Sequence, residues 1–288
     1  FFKDIELSGI ISRSGKNAKK LSVKYKIQYY GNKIDELIKI TKPDIIVVCC
    51  SILETFSVAK KLQNINKIIL FEKPLGINLF ETKKIFKILS NNKKNIFISL
   101  NRRFYENFKF VKKILNKESN SKRFIIINDQ ENIFAAKKNG HKDRVIKNWM
   151  FANSIHLIDL INYLCRGSEY KIKKFNKYDS KKEIVSATMS FKSGDLVVYN
   201  ALWNRPGPWE VIISTKNYFF KFLPLEKLFY KKKYQKDYKT FKCNNKYKPG
   251  LLNLLKNVVS FSKTGKVKSL VRMEEYLKTA KLINKIYS

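Results

Sequence analysis

The sequence predicts an α/β protein in two parts: a mostly parallel sheet interleaved with helices, then a mainly antiparallel sheet flanked by helices. Three observations predict it. Strand and helix signals alternate through the first hundred residues, the pattern of βαβ units. From about Ile184 strands follow one another without helices, the first two joined by the turn Lys192-Ser193-Gly194-Asp195. A chain of 288 residues, 44% hydrophobic, is also long enough for two cores and buries roughly three quarters of its unfolded surface.

In order along the chain, Ile5 to Ser12 reads as a strand, Lys16 to Tyr25 as a helix and Ile34 to Ile40 as a shorter helix. Pro43 introduces Asp44-Ile45-Ile46-Val47-Val48-Cys49, a β-branched run expected to be buried on both faces. Phe56 to Leu62 is a helix, Lys67 to Phe71 a strand, Leu79 to Leu89 a helix and Asn95 to Leu100 a strand. The texture changes after Asn101, so the predicted division is residues 1–101 and 102–288. Phe104 to Leu115 is a one-faced helix, Phe124 to Ile127 a strand and Asp129 to Lys147 a polar stretch. Ser154 to Leu164 is a strong helix carrying His156 and Asp159. Strands follow at Ile184 to Phe191, Asp195 to Trp203, Trp209 to Thr215 and Tyr218 to Leu223. Leu251 to Phe261 and Met273 to Tyr287 are the closing helices, the last expected to pack back on the fold.

Composition narrows the function. The net charge is +37, from 60 Lys+Arg and 23 Asp+Glu. That invites a nucleic-acid reading. However, Lys, Asn, Ile, Phe and Tyr are all AT-rich codon residues, and the lysines are spread out. The dense block Lys231, Lys232, Lys233, Lys236 and Lys239, interleaved with Tyr230, Tyr234 and Tyr238, reads better as a solvated face than as a single-strand binding platform. No specific nucleic acid is expected as a partner. No run reaches the roughly 18 uncharged apolar residues of a membrane helix, so no membrane is expected either. Four cysteines without CxxC spacing and two histidines argue against a metal site. Phe1 to Glu6 lacks the apolar core of a secretion signal, and a cytoplasmic protein with reduced thiols is expected.

The most specific signal is Phe71-Glu72-Lys73-Pro74-Leu75-Gly76 directly after a buried parallel strand, because ligands in such sheets lie beyond the strands' carboxyl ends. Asn101-Arg102-Arg103-Phe104 and Ser154-Ile155-His156-Leu157-Ile158-Asp159 follow in order, then the Phe191-Lys192-Ser193-Gly194 hairpin and the helix from Glu274. This ordered set resembles the glucose–fructose oxidoreductase / inositol dehydrogenase (Gfo/Idh/MocA) family along essentially the whole chain. The resemblance implies a Rossmann-type cofactor domain followed by an α/β domain whose open sheet faces the active site. It implies a nicotinamide-dependent oxidoreductase acting on a secondary hydroxyl of a sugar, cyclitol or nucleotide sugar.

Two departures shape the expectations. No Gly-rich phosphate loop is present, which predicts that the Rossmann domain is truncated before residue 1, lacking its first strand and that loop. If Ser12, Arg13 and Ser14 occupy the ribose-reading position, a cation and hydroxyls there favour NADP, with NAD left open. Cys50, Ser51, Glu72, Lys73 and Arg102 complete the expected cofactor contacts. The family's Asp four residues before the helical histidine is Ala152 here, and Asn153 is the nearest polar substitute. The resemblance thus assigns catalysis to Lys73 and His156, with Asn153 orienting the imidazole, and substrate contact to those three with Arg102 and Trp149. Asp159 is expected to be structural, and His141 a loop residue. The alternative is a non-catalytic NADP-binding sensor of the same fold. An exposed sheet face is compatible with a homodimer or homotetramer.

Overall fold

The computed structural model describes residues 4–176, 183–243 and 247–288; Phe1, Phe2 and Lys3, read above for a leader, lie outside them. The first half runs β1 (Gly9–Ile11), α1 (Lys16–Tyr25), β2 (Tyr29–Gly31), α2 (Ile34–Thr41), β3 (Ile45–Val48), α3 (Thr55–Lys61), β4 (Ile68–Glu72), α4 (Leu79–Ile88) and β5 (Ile96–Ser99). Then come α5 (Glu106–Lys117), β6 (Phe124–Glu131), α6 (Ile133–Lys138), α7 (Asp143–Ile146), α8 (Ile155–Leu164), β7 (Glu169–Lys174), β8 (Ile184–Phe191) and β9 (Leu196–Trp203). The chain closes with β10 (Glu210–Ser214), β11 (Tyr218–Phe222), β12 (Lys227–Lys232), β13 (Lys239–Lys242), α9 (Leu251–Thr264), β14 (Val271–Arg272) and α10 (Met273–Tyr287).

β3, β4 and β5 are parallel neighbours, and β14 adds antiparallel to β5. β1 and β2 form a separate parallel pair. The expected first strand shortens to Gly9–Ile11, with Leu7 left 63% exposed. β3 also departs from expectation. Among the described residues it pairs with β4 alone, so Val47 is 50% exposed where burial on both faces was read from the β-branched run. Periodicity reports a hydrophobic strand, not whether both neighbours are present.

The eight-stranded sheet has the order β13-β12-β11-β10-β6-β9-β8-β7, antiparallel except for the β6–β9 pair. Alternation sorts its faces. Ile125, Ile127, Val197, Tyr199, Val211, Ile213, Phe220 and Phe222 are buried on the face that meets the helices, where Phe108 of α5 stacks on Phe222 at 4.0 Å. The other face, with Ile126, Asn128, Ser186, Thr188, Val198 and Asn200, is only half buried. The expectation that the open face looks onto the active site is corrected, because the helix carrying His156 covers the opposite one. α10 buries Tyr276, Ile283 and Ile286 and packs on both α4 and α8, so the closing helix does return to the fold.

The polar stretch after Asp129 hides the end of β6 and two short helices, α6 and α7. The basic block is the β12–β13 hairpin. There Lys231 lies over the Tyr238 ring at 4.9 Å and Tyr234 is 91% exposed, whereas Tyr230 departs from the solvated face and packs on Phe110 at 5.4 Å.

Candidate active site

β4 is fully buried at Ile69 and Phe71 and delivers Glu72 and Lys73 to its carboxyl end. The loop that follows is held from three sides. Tyr276 of α10 accepts the Leu75 N–H at 2.8 Å, and Asn78 caps α4 by accepting from Glu81 N at 2.9 Å. Gly76, at φ +102°, lies so close that a Cβ would meet Thr82 N at 2.7 Å. Lys73 therefore has a fixed backbone, and its Nζ donates to the Ala152 carbonyl at 2.5 Å. Burial pushes the Lys73 ammonium down to about 8; Arg102 and Lys248 add to this, while Glu72 and Glu131 oppose it.

Ala152 belongs to a π-helical turn, Met150–Ser154, that leads into α8. His156, one turn on, is 5% exposed and its Nδ1 has no hydrogen-bond partner. Burial holds the imidazole far below its ordinary range, and the positive charges of Lys73, Arg102 and Lys248 deepen the effect. The orienting bond expected from Asn153 is not made. Its amide donates instead to Glu131 Oε2 at 2.9 Å, because the wider π turn rotates residue 153 toward the sheet.

Arg102 follows β5 and donates to Asn101 Oδ1 at 3.1 Å. Its guanidinium lies 5.3 Å from the Tyr105 ring and 5.9 Å from the Trp209 ring. Its neighbour Arg103 does different work, gripping Asp159 of α8 through two bonds of 2.6 and 2.7 Å and Glu275 of α10 at 3.0 Å. Asp159 is thus a structural residue, as expected.

Two further residues of the site escaped sequence reasoning. Lys248 reaches it because Gly250, at φ +78°, presses on Asn101, where any Cβ would fall 2.2 Å from the carbonyl oxygen. Asn101 also donates to Pro249 O at 3.0 Å. Glu131 accepts from Trp149 Nε1 at 2.7 Å and Ser154 Oγ at 3.0 Å, besides Asn153. The available signal was period two: Ile125, Ile127, Asp129 and Glu131 fall on one face, so the strand continued through its acids. Glu131, Trp149 and Asn153 line a cleft of about 300 Å³ with Gln130, Asn132 and Trp209. His141 stacks edge-on against Trp149, with ring centroids 5.0 Å apart.

The expected cofactor positions lie at the carboxyl ends of β1, β3 and β4, the ligand-binding edge of a parallel sheet. Ser12 Oγ accepts from Ala18 N at 3.0 Å in the first turn of α1. Arg13, largely exposed, pairs with Glu54 beyond β3 at 2.7 Å, while Ser14 stays exposed. Cys50 lies 4.0 Å from the Thr55 hydroxyl, and Ser51 begins the turn into α3. These residues form the outer end of the edge whose inner end is Lys73 and His156. They suit an extended dinucleotide: the orphaned His156 Nδ1 and Arg102 Nε mark an inner end still able to hydrogen bond. Among the described residues no group of His, Cys, Asp and Glu could hold a metal ion.

Residues 1–100 match the family model described as an oxidoreductase family with an NAD-binding Rossmann fold, GFO_IDH_MocA. Solved structures resemble the whole chain. A dehydrogenase from Chromobacterium violaceum is 14% identical, with 99% of this chain and 87% of that one covered at a TM-score of 0.82. UDP-N-acetylglucosamine 3-dehydrogenase from Acidithiobacillus ferrooxidans is 12% identical over 97% and 88% of the two chains, with a TM-score of 0.75. Levoglucosan dehydrogenase in complex with NADH and levoglucosan is 13% identical over 97% and 86%, with a TM-score of 0.78. These identities establish the fold, a Rossmann-type sheet followed by a large, mainly antiparallel one. No curated protein matches the chain. No helix among the described residues is long and apolar enough to cross a membrane.

Proposed function

We propose that this protein is an oxidoreductase of the Gfo/Idh/MocA family that uses NADP to oxidise or reduce the carbon of a secondary hydroxyl on a sugar, cyclitol or nucleotide sugar. The observation that carries the reading is Lys73. It is a half-buried cation whose proton affinity desolvation lowers to about 8, at the carboxyl edge of a Rossmann-type sheet and beside a buried histidine. A bound nicotinamide would supply the hydride donor or acceptor. Lys73, with a proton affinity matched to near-neutral pH, exchanges the hydroxyl proton with the substrate oxygen. His156 is neutral above mildly acid pH and holds the same oxygen by a hydrogen bond. Arg102 and Lys248 favour negative charge developing there. Ser12, Arg13 and Ser14 would hold the ribose end, with Cys50, Ser51 and Glu72 between.

The cleft supports a polyhydroxylated substrate. Trp149 and Trp209 offer apolar faces, and Gln130, Asn132 and Asn153 surround them with amides, the mixture that reads a ring with both C–H and O–H faces. The two dehydrogenases of UDP-N-acetylglucosamine and levoglucosan named above have the same fold. The half-buried face of the eight-stranded sheet would carry self-association into a dimer or tetramer.

The test is absorbance at 340 nm with NADP across a panel of sugars, cyclitols and nucleotide sugars. Turnover lost in Lys73→Met supports the reading. Cofactor binding without turnover on any substrate would favour a sensor instead. That second reading draws on Ala152 and on an imidazole without a carboxylate partner.

A further inference from the structure

Asp129 and Glu131 lie two residues apart on the helix-covered face of β6, each 1% exposed. Two carboxylates in so dry a place cannot both be charged. Their partners sort the pair. Glu131 Oε2 takes the Trp149 indole and the Asn153 amide, and its Oε1 takes the Ser154 hydroxyl. Asp129 Oδ2 accepts from the Tyr199 hydroxyl at 2.6 Å, and Tyr199 in turn bonds Tyr287 of α10 at 2.8 Å. Asp129 Oδ1 is buried without a donor, with the Glu131 carboxyl and the Ser154 hydroxyl as its hydrogen-bonding neighbours, and the Ser154 proton is already given to Glu131 Oε1. A proton on Glu131 donated to Asp129 satisfies that oxygen and removes the second charge. Burial raises both groups, and the Asp129 charge raises Glu131 further.

We infer that Glu131 is a positioning residue that works as a neutral acid. Its Oε2 sets Trp149 and Asn153 as one wall of the cleft, and its proton is held by Asp129, which Tyr199 and Tyr287 anchor to the C-terminal helix. Lys73, from the β4 loop, is a cation that interacts with Glu131, and the hydrogen-bonding neighbours from the π turn, β9 and α10 are neutral donors. The role rests on the cleft being the substrate's, and its test does not.

The experiment is nitrogen-15 tryptophan labelling of the full chain, with Trp149→Phe assigning the indole signal. Glu131→Gln keeps a carbonyl for Trp149 and Asn153 and places an amide hydrogen where the acid proton lies. The Trp149 signal is therefore expected to stay near its wild-type position in Glu131→Gln and to move upfield in Glu131→Ala. Glu131→Met, which fills the volume without an acceptor, replaces the alanine variant should that fail to fold. Equal displacement by Gln and Ala overturns the neutral acid, and an unmoved signal in Ala or Met overturns the positioning role. With a substrate in hand, loss of the acceptor lowers kcat/KM about a hundredfold, and Gln restores a large part of it. Absence of turnover on every substrate counts against the proposed reaction and leaves the indole result standing.

Discussion

The Nζ of Lys73 donates to the carbonyl oxygen of Ala152, 79 residues further along the chain, and so ties the loop after β4 to the π turn before α8. The contact places an amine lowered to about 8 where its positive charge depresses the proton affinity of His156.

The pH profile follows from that order. Lys73 accepts a proton only when neutral, so kcat/KM for oxidation rises as pH passes through about 8 and levels above it. For reduction it falls through the same range. His156, held far below 6.5, contributes no inflection between pH 6.5 and 8. An inflection near 6.5 with none near 8 would move the acid–base role to the histidine.

Lys73 also bears on stability. Its folded affinity is lowered from 10.5 to about 8, so between those values the unfolded chain binds more protons and stability rises with pH. Lys112, half-buried against the Tyr163 ring and likewise near 8, acts in the same window. For Lys73 the full penalty below pH 8 is roughly 3 kcal/mol. Lys73→Met removes it at pH 7 and loses one hydrogen bond of about 1 kcal/mol, leaving a protein about 1–2 kcal/mol more stable. Turnover falls by about two to four orders of magnitude. A less stable Lys73→Met protein in urea unfolding would refute the balance.

Arg103 and Asp159 make the opposite case, a buried pair with two short bonds across the sheet edge, α8 and α10. Asp159→Asn leaves the buried guanidinium with only the half-exposed Glu275 as counter-charge and costs about 3–5 kcal/mol, read as a lower urea midpoint. A change below 1 kcal/mol would mean that Glu275 alone suffices.

Gly250→Ala tests how Lys248 reaches the site. The new Cβ meets the Asn101 carbonyl and φ is positive, so about 1–3 kcal/mol of strain is expected. The loop must lift, and with Lys248 further away the kinetic inflection of Lys73 moves upward from about 8. An unchanged profile would remove Lys248 from the site.

The parallel half of the fold was legible because buried strands and amphipathic helices carry strong periodicity; the helix at Lys16–Tyr25 has the expected bounds. The placement of Lys73 just after a buried parallel strand and of His156 on a buried helix was legible from motif order. Glu131 was not, since an acid at the end of a strand looks like a turn until the indole and amide that it binds are folded over it. Lys248 was illegible for another reason. Its place depends on a glycine contact 149 residues away from the helix turn it touches, and on a chain with this many lysines no spacing marks one. The strands β2, β7 and β13 are short segments rich in Lys and Tyr, with too few apolar residues to carry a period of two.

Arg13 and Glu54 bear on the cofactor. Their ion pair is exposed, 78% and 38% at the side chains, so it holds Arg13 with no more than about 1 kcal/mol. A 2′-phosphate offers more charge and several acceptors, and it would draw the guanidinium away. Arg13→Gln is therefore expected to weaken NADP about 10- to 100-fold in isothermal titration, the worth of charged hydrogen bonds, and to leave NAD nearly unchanged. Glu54→Gln, which frees Arg13, should tighten NADP by up to about fivefold. Tighter binding of NAD than of NADP by the unaltered protein would reverse the assignment and make Arg13 one more solvated cation.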